Sequence, residues 1–159
     1  SGNDVARALA RSVSGSETSF SKVMNKKARS LGMRSSNFLN PHGLTATGQY
    51  STARDMAICA RAAYSSATLR GIISTKAYTF RFSNGRTKLL ANTNRVLKKL
   101  PYCNGMKTGT TRASGRCLIS SGTLNGRTAI VVVLGAKTAT VWTDSEKLLR
   151  WALERPASR

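Results

Sequence analysis

Apolar residues recur at helical spacing through the first half of the chain. A helix over residues 4–13, with one apolar face, is predicted by the set Val5, Ala8, Leu9 and Val13. Asp4 suits its start, because a carboxylate is favoured at the positive end of the helix dipole. A second set of apolar residues predicts a helix over residues 18–31, and Gly32 fits the position just past its end.

Polar residues mark the beginning of a third helix. Ser51-Thr52 supplies a cap and Asp55 follows in the first turn, which predicts a helix that continues through Tyr64. A short helical piece is predicted over residues 67–73. Before the third helix, residues 36–44 contain Asn, Pro and Gly in close order, which predicts an irregular, tightly turned loop.

The second half of the chain changes to the alternation that is typical of strands. Residues 77–82 alternate between apolar and polar side chains, and Asn84-Gly85 is a favoured turn sequence. The chain can return as a strand over residues 87–90. Together these segments predict a β-hairpin.

A second hairpin is predicted farther along the chain. Its strands cover residues 117–123 and 128–135, and Asn125-Gly126 supplies the turn. Residues 129–134 are continuously apolar, which predicts a central strand covered on both faces. The last helix is predicted to open at the capping box Thr143-Asp144-Ser145-Glu146.

These patterns predict an α+β fold. Residues 1–75 are expected to form a mainly helical subdomain, and residues 76–159 an antiparallel sheet with a C-terminal helix. The change of character near residue 75 is interpreted as a change of subdomain within one domain, because no linker-like stretch lies there. A chain of 159 residues is long enough for one domain with a hydrophobic core.

The net charge narrows the choice of partners. Lys and Arg number 26 against 6 Asp and Glu, which gives a net charge of +20. Such a field attracts nucleic acid, anionic lipid or an acidic cell-wall polymer. The basic residues are scattered, without a nucleic-acid motif or a basic stripe interleaved with aromatic residues. We therefore expect attraction to an anionic membrane or cell-wall surface, and no specific nucleic-acid partner.

The three cysteines, Cys59, Cys103 and Cys117, have no metal-ligand spacing, and their odd number argues against a complete disulfide framework. They are interpreted as small buried apolar residues. The sequence accordingly predicts no metal site and no cofactor.

The segment Lys107-Thr108-Gly109 has the chemistry of an anion site at the opening of a strand. The ammonium supplies charge, the hydroxyls supply donors, and the glycine allows a ligand to approach the backbone closely. A tripeptide is a weak signal by itself, but the chain also begins with Ser1-Gly2-Asn3. Ser-x-Asn and Lys-Thr-Gly are two of three elements that mark penicillin-binding proteins and class A β-lactamases.

Further segments extend this likeness in order and spacing. They are 24–28 and 31–33, Phe38-Leu39-Asn40-Pro41-His42-Gly43-Leu44, 50–55, Asn92-Thr93-Asn94, 105–109, 115–118, Asp144 and 148–151. Over nearly its whole length the chain resembles the serine D-alanyl-D-alanine carboxypeptidases, which are low-molecular-mass penicillin-binding proteins of the β-lactamase-like superfamily. The resemblance implies that superfamily's fold, with a helical subdomain beside an antiparallel sheet flanked by helices.

The resemblance also implies an activity and a role for each matching residue. Such enzymes remove the terminal D-alanine from peptidoglycan stem peptides through an acyl-enzyme and are acylated by β-lactams. Ser1 would relay a proton, and Asn3 would hold the peptide side chain of the substrate. Lys107 would bridge electrostatically to the substrate carboxylate. Thr108, Gly109 and Thr110 would bind the substrate, with the backbone N–H of Thr110 in the oxyanion hole.

The third element, a nucleophile motif Ser-x-x-Lys, is expected before Ser1. Ser19-Phe20-Ser21-Lys22 has that spelling but follows Ser-x-Asn, so it is interpreted as an ordinary helix. A second Ser-x-Asn at residues 35–37 is interpreted as coincidence, and the single histidine, His42, as structural. Trp142 stands where many members of the family carry an arginine that contacts the substrate carboxylate, so carboxylate binding would rest on Lys107, the threonines or another arginine.

We therefore expect an incomplete fold that an N-terminal fragment of the same protein, carrying the nucleophile, completes. The expected ligands are a peptidoglycan peptide or a β-lactam, in the bacterial periplasm or cell envelope. The alternatives are a non-catalytic, cationic cell-wall-binding module, and a β-lactamase or esterase of the same fold.

Overall fold

The computed structural model describes residues 2–155. The helices are α1 (Asn3–Ser14), α2 (Glu17–Ser30), α3 (Ala53–Ser65), α4 (Ala67–Ile73), α5 (Arg95–Lys99) and α6 (Val141–Glu154). The strands are β1 (Ala77–Arg81), β2 (Thr87–Ala91), β3 (Cys103–Thr111), β4 (Gly115–Leu124) and β5 (Arg127–Ala136). Among these helices, none is long and apolar enough to cross a bilayer.

Two antiparallel sheets form within the described residues. The first is the hairpin β1–β2, and the second has the order β3-β4-β5. In β4, alternate residues face opposite sides: Thr123 bonds to Tyr64 of α3, whereas the Cα of Gly122 faces Leu149 and Leu153 of α6. Helices therefore cover both faces of the larger sheet, and the α+β prediction is confirmed.

The main core lies between the three-stranded sheet and helices α5 and α6. Its buried members are Val96, Leu97, Leu100, Cys103, Leu118, Val141, Leu149 and Leu153. Cys103 is buried as expected, but Cys59 and Cys117 are only half-buried, and all three cysteines are free.

One expectation about the elements is wrong. Helix α6 begins at Val141, before the predicted capping box, because Val141 is 1% exposed and draws the first turn into the core. The box does not cap: Thr143 lies within the helix and donates to the Thr140 carbonyl at 2.9 Å. Helices α3 and α6 both pack against β5, in agreement with the prediction that its apolar run 129–134 is covered on both faces, and among residues 2–155 its outer edge is free, as expected of an incomplete fold.

Helix α1 forms where it was predicted, but its apolar face is not buried against the described residues. Val5, Leu9 and Val13 are 57%, 61% and 68% exposed. Instead, charges hold α1 to α2, because Arg7 and Arg11 donate to one carboxylate oxygen of Glu17 at 2.9 and 2.8 Å.

Asp55 ties the segment before α3 to the helix itself. Its carboxylate, 4% exposed, accepts from the Ser35 amide at 2.8 Å and the Ser36 hydroxyl at 2.7 Å. The amide of Asp55 in turn donates to the hydroxyl of Thr52, which is the predicted cap. The division of the chain at residue 75 stays a prediction.

Candidate active site

The Lys-Thr-Gly segment lies within an edge strand of the larger sheet. Lys107 is in the middle of β3, opposite Ile119 of β4, and does not open a strand as predicted. The strand begins earlier because Cys103, Gly105 and Met106 already pair with β4, with an irregularity at Asn104. In the described residues β3 has a strand neighbour on one side only, so its other edge faces a cleft.

This cleft has a volume of about 810 Å³ and brings together separate parts of the chain. Asn3, the first residue of α1, lines it together with all four predicted residues of β3: Lys107, Thr108, Gly109 and Thr110. Ser1 lies outside the described residues. The two motifs, about a hundred residues apart in sequence, therefore border one cavity.

The cleft wall is cationic. Four basic residues line it, Arg95, Lys98, Lys107 and Arg116, and none of the described lining residues is Asp or Glu. A concave surface lined by one sign of charge concentrates its field and attracts ions of the opposite sign. The geometry fits an anionic ligand.

Lys107 is the cation closest to the centre of the motif. Its ammonium donates to the carbonyl of Thr108 at 2.6 Å. The side chain opens to the cleft, yet desolvation by the surrounding protein lowers its pKa. Desolvation disfavours the charged form, so an anion bound beside Lys107 would offset that cost and raise the pKa again.

The segment 92–94 borders the cleft beside β3 and holds that strand through hydrogen bonds. The Thr93 hydroxyl lies 3.0 Å from that of Thr108. Asn94, 1% exposed, donates to the carbonyl of Gly105 at 3.0 Å, and its side-chain oxygen accepts from the amides of Val96 and Leu97. One buried amide side chain therefore caps α5 and fixes the start of the motif strand.

Thr110 has a basic partner that the sequence analysis missed. Arg116 of β4 lies directly opposite Thr110 in the register, and its guanidinium donates to the Thr110 hydroxyl at 3.1 Å. A second donation reaches the hydroxyl of Thr138 at 3.4 Å. The short turn between β3 and β4 was the available signal, because it sets which residues face each other across the hairpin.

Gly109 is not required by packing inside the protein. A Cβ added there would lie 3.7 Å from the Cβ of Cys117, which is an ordinary contact. Gly109 is exposed in the cleft wall. The absence of a side chain there leaves room for a ligand to approach the backbone of β3.

Trp142 lies in the first turn of α6 and also lines the cleft. The guanidinium of Arg95 stacks over its ring, 5.4 Å from the ring centroid. Trp142 thus contributes an aromatic wall and holds a cation, although it cannot itself bind a carboxylate as a guanidinium does.

The residues that the sequence analysis set aside have structural contacts. Ser19 is exposed at the start of α2, where its hydroxyl pairs with that of Ser16, and it does not line the cleft. Ser36 bonds to Asp55. His42 lines the cleft, but Nδ1 accepts from the Leu44 amide at 3.2 Å and Nε2 lies 3.9 Å from a carboxylate oxygen of Glu17. These contacts support the structural interpretation of all three.

Comparison with known proteins agrees with the motifs. A family model described as D-alanyl-D-alanine carboxypeptidase, peptidase S11, matches residues 1–138. The chain is 42% identical over 138 residues to D-alanyl-D-alanine carboxypeptidase DacF of Bacillus subtilis, covering 87% of this chain and 36% of that protein. It is also 42% identical over 155 residues to DacC of Escherichia coli, covering 95% of this chain and 37% of the relative.

Solved structures share the fold. A D-alanyl-D-alanine carboxypeptidase from Mycobacterium tuberculosis matches with a TM-score of 0.88 and 28% identity, over 99% of this chain and 61% of that one. Penicillin binding protein 5 from Haemophilus influenzae matches with a TM-score of 0.84 and 37% identity, over 94% and 43%. The family model spans both motifs, and the chain therefore belongs to the peptidase S11 family of D-alanyl-D-alanine carboxypeptidases.

Proposed function

We propose that this chain supplies the Ser-x-Asn and Lys-Thr-Gly side of a serine D-alanyl-D-alanine carboxypeptidase site. The substrate would be a peptidoglycan stem peptide, and a β-lactam would acylate the same site. The observation that carries the proposal is the shared cationic cleft of Asn3 and residues 107–110. A cell-envelope location, in the bacterial periplasm, follows from such a substrate.

Each motif residue has a proposed role in acyl transfer. Ser1 relays the proton to the leaving group, and Lys107 stabilises the negative charge that develops and attracts the substrate carboxylate. Asn3 donates to or accepts from the peptide side chain of the substrate. The backbone N–H of Thr110 serves the oxyanion hole, and Gly109 lets the substrate lie close to β3.

The substrate carboxylate is proposed to bind between the threonine hydroxyls and Arg116. Thr108 and Thr110 lie on β3, and the guanidinium of Arg116 already reaches Thr110 at 3.1 Å. A planar guanidinium can donate two parallel bonds to a carboxylate. Arg116 would therefore take over the role that Trp142 cannot perform.

The nucleophile is proposed to come from another segment of the same protein that carries Ser-x-x-Lys. The chain spans only 36% and 37% of the length of the two relatives described above. Two apolar surfaces support a docking partner: the exposed face of α1, with Val5, Leu9 and Val13, and the free edge of β5. Burying either would gain roughly 25 cal/mol per Å² of apolar surface.

The test is intact mass spectrometry of the purified protein before and after incubation with penicillin. The expected result is a second polypeptide that gains one penicilloyl mass. Gain of that mass by the present chain would contradict the assignment of the nucleophile and point to Ser19. If this chain alone is present and gains nothing, it is either a cell-wall-binding module, which its charge of +20 favours, or an incomplete fragment of the enzyme.

Variants separate the roles of the cations once acylation is measured. Lys107→Ala should slow acylation by about a hundredfold or more, as removal of one preorganised donor does. Arg116→Gln should weaken the binding of a substrate with a free carboxylate by roughly tenfold or more. The binding of the C-terminal amide analogue of that substrate should change little. Arg112→Gln, an exposed arginine in the adjacent turn that does not line the cleft, is the matched control and should change neither.

A further inference from the structure

The hairpin β1–β2, residues 77–91, stands apart from the rest of the fold. Every residue of both strands is exposed. Within residues 2–155 the two strands pair only with each other. A two-stranded hairpin is marginally stable in water by itself, and large exposed apolar side chains mark surfaces that bind something else.

Alternation along the first arm places aromatic residues on one face of this hairpin. Tyr78, Phe80 and Phe82 alternate along the first arm and share a side. Their exposed fractions are 62%, 43% and 43%, and the rings of the two phenylalanines meet edge to face at 4.9 Å. Across the hairpin, Leu90 lies opposite Tyr78 and Lys88 opposite Phe80. We call these residues the aromatic face.

The charges around the aromatic face have one sign. The hairpin and its base carry Lys76, Arg81, Arg86 and Lys88, and no acidic residue occurs between Asp55 and Asp144. Among residues 2–155, the ion pairs that form involve none of these four cations. Their field is therefore not neutralised by neighbouring carboxylates.

We propose that the hairpin 77–91 binds the surface of an anionic lipid bilayer through its aromatic face. The amphipathic ring of a tyrosine such as Tyr78 favours the level of the lipid headgroups, and phenylalanine and leucine form the apolar face of elements that lie in the membrane interface. Lys and Arg extend their apolar stems along the ring surface and place their charges among anionic headgroups. The function goes beyond acyl transfer and needs no nucleophile.

The aliphatic residues favour a bilayer over nucleic acid. Leu90, 43% exposed, belongs to the aromatic face opposite Tyr78, whereas Leu89 pairs with Thr79 and lies on the other face of the hairpin. Single-stranded nucleic acid is held by aromatic side chains on which bases stack, and a leucine offers no such platform. A bilayer accepts leucine and phenylalanine alike, because the gain from burial depends on apolar area.

The position of the hairpin relates this surface to the cleft. Tyr78 and Leu90 line a groove of about 320 Å³ whose other wall includes Met106, Lys107 and Thr108. A bilayer bound at the aromatic face would therefore hold the Lys-Thr-Gly strand close to the membrane surface.

Vesicle co-sedimentation of the full chain tests the proposal. Vesicles of phosphatidylcholine with added phosphatidylglycerol should bind the chain, and pure phosphatidylcholine should bind it much more weakly. The double variant Phe80→Gln with Phe82→Gln should weaken binding about tenfold. Its control is Leu69→Gln with Leu148→Gln, because both leucines are also 43% exposed but lie outside the hairpin, and it should stay within about twofold of the parent.

A charge-matched pair separates the hairpin from the net charge. Arg86→Gln with Lys88→Gln should weaken binding to the anionic vesicles about tenfold or more. Arg112→Gln with Lys147→Gln removes the same charge from exposed positions elsewhere and should have a much smaller effect. Equal losses from both pairs would overturn the proposal, since the net charge alone would then explain binding.

A spectroscopic readout locates the contact directly. Phe80→Trp should gain a blue-shifted fluorescence component on anionic vesicles, quenched by brominated lipid, beyond the signal of Trp142 and Trp151 in the parent. An added signal that does not change with vesicles would refute insertion. Loss of sedimentation with purified peptidoglycan in the Phe80 and Phe82 double variant, with vesicle binding unchanged, would assign the face to the cell wall and overturn the membrane proposal.

Discussion

Replacement of Asn94 by alanine should loosen the strand that carries the Lys-Thr-Gly motif. The side chain is 1% exposed and makes two kinds of bond: its amide donates to the Gly105 carbonyl at 3.0 Å, and its oxygen accepts from the Val96 amide at 3.0 Å. Asn94→Ala removes both. The Gly105 carbonyl and the first amides of α5 then stay buried without that partner.

The cost can be worked from these contacts. Loss of a helix N-cap costs about 1 kcal/mol. A buried carbonyl left without its donor costs about 1–3 kcal/mol. The free energy of unfolding should therefore fall by about 2–4 kcal/mol, a large part of the roughly 5–15 kcal/mol that is typical of folded proteins. For a domain of about this chain length, such a loss should lower the melting temperature by about 4–16 °C.

The assay is urea unfolding followed by circular dichroism, together with hydrogen exchange at the amides of Val96 and Leu97. Both amides should lose protection in Asn94→Ala. The control is Asn84→Ala, an exposed asparagine whose oxygen accepts from the Arg86 amide in a hairpin turn, and it should cost less than about 1 kcal/mol. If Asn94→Ala is no less stable than this control and keeps its protection, the reasoning is refuted.

Three further changes test other contacts. Gly122→Ala places a Cβ 3.0 Å from both the Tyr102 carbonyl and a methyl group of Leu153, so we expect a loss of about 1–3 kcal/mol in urea unfolding, and an unchanged midpoint would contradict the packing. Asp55→Ala removes the acceptor of the part-buried Ser35 amide and one of two partners of the buried Ser36 hydroxyl, which also lies 2.7 Å from the Ser51 hydroxyl, so it should cost about 1–3 kcal/mol by the same measurement; no loss would mean that water replaces the carboxylate. The pKa of Glu17 lies below its ordinary 4.5, chiefly because Arg7 donates a hydrogen bond to the carboxylate and also because Arg11 does. The Glu17 carboxylate therefore contributes to stability above pH 4.5, and this contribution is lost as the pH falls through the lowered pKa. In Glu17→Gln this part of the acid dependence should disappear from melting curves recorded across that range, and an identical pH profile would count against it.

Local patterns were sufficient for most of the elements. The cap at Thr52 and the stop at Gly32 depend on bonds between residues a few positions apart, so they can be predicted from sequence. The hairpin turn at Asn84-Gly85 is equally local, since Gly85 takes the positive φ of 80° that a tight turn requires. Helix α5 was missed because its five residues are too few for a periodic pattern.

The candidate site divides in the same way. Lys107 and Asn3 could be proposed as site residues from the sequence, because each belongs to a short motif of consecutive residues. Arg116 was missed, since only the pairing of β3 with β4 puts it opposite Thr110. The aromatic face escaped notice for the same reason, because its cations and rings come from two different arms of a hairpin.

The sequence by itself determined the helices and hairpins, the family resemblance and the cationic character of the chain. Those depend on local periodicity, turn chemistry and composition, which need no knowledge of distant contacts. Only the tertiary structure decided that α6 starts at Val141 and that the apolar face of α1 is exposed among the described residues. Burial depends on which surfaces meet in space, and an apolar stripe in a sequence specifies the surface to be covered without specifying what covers it.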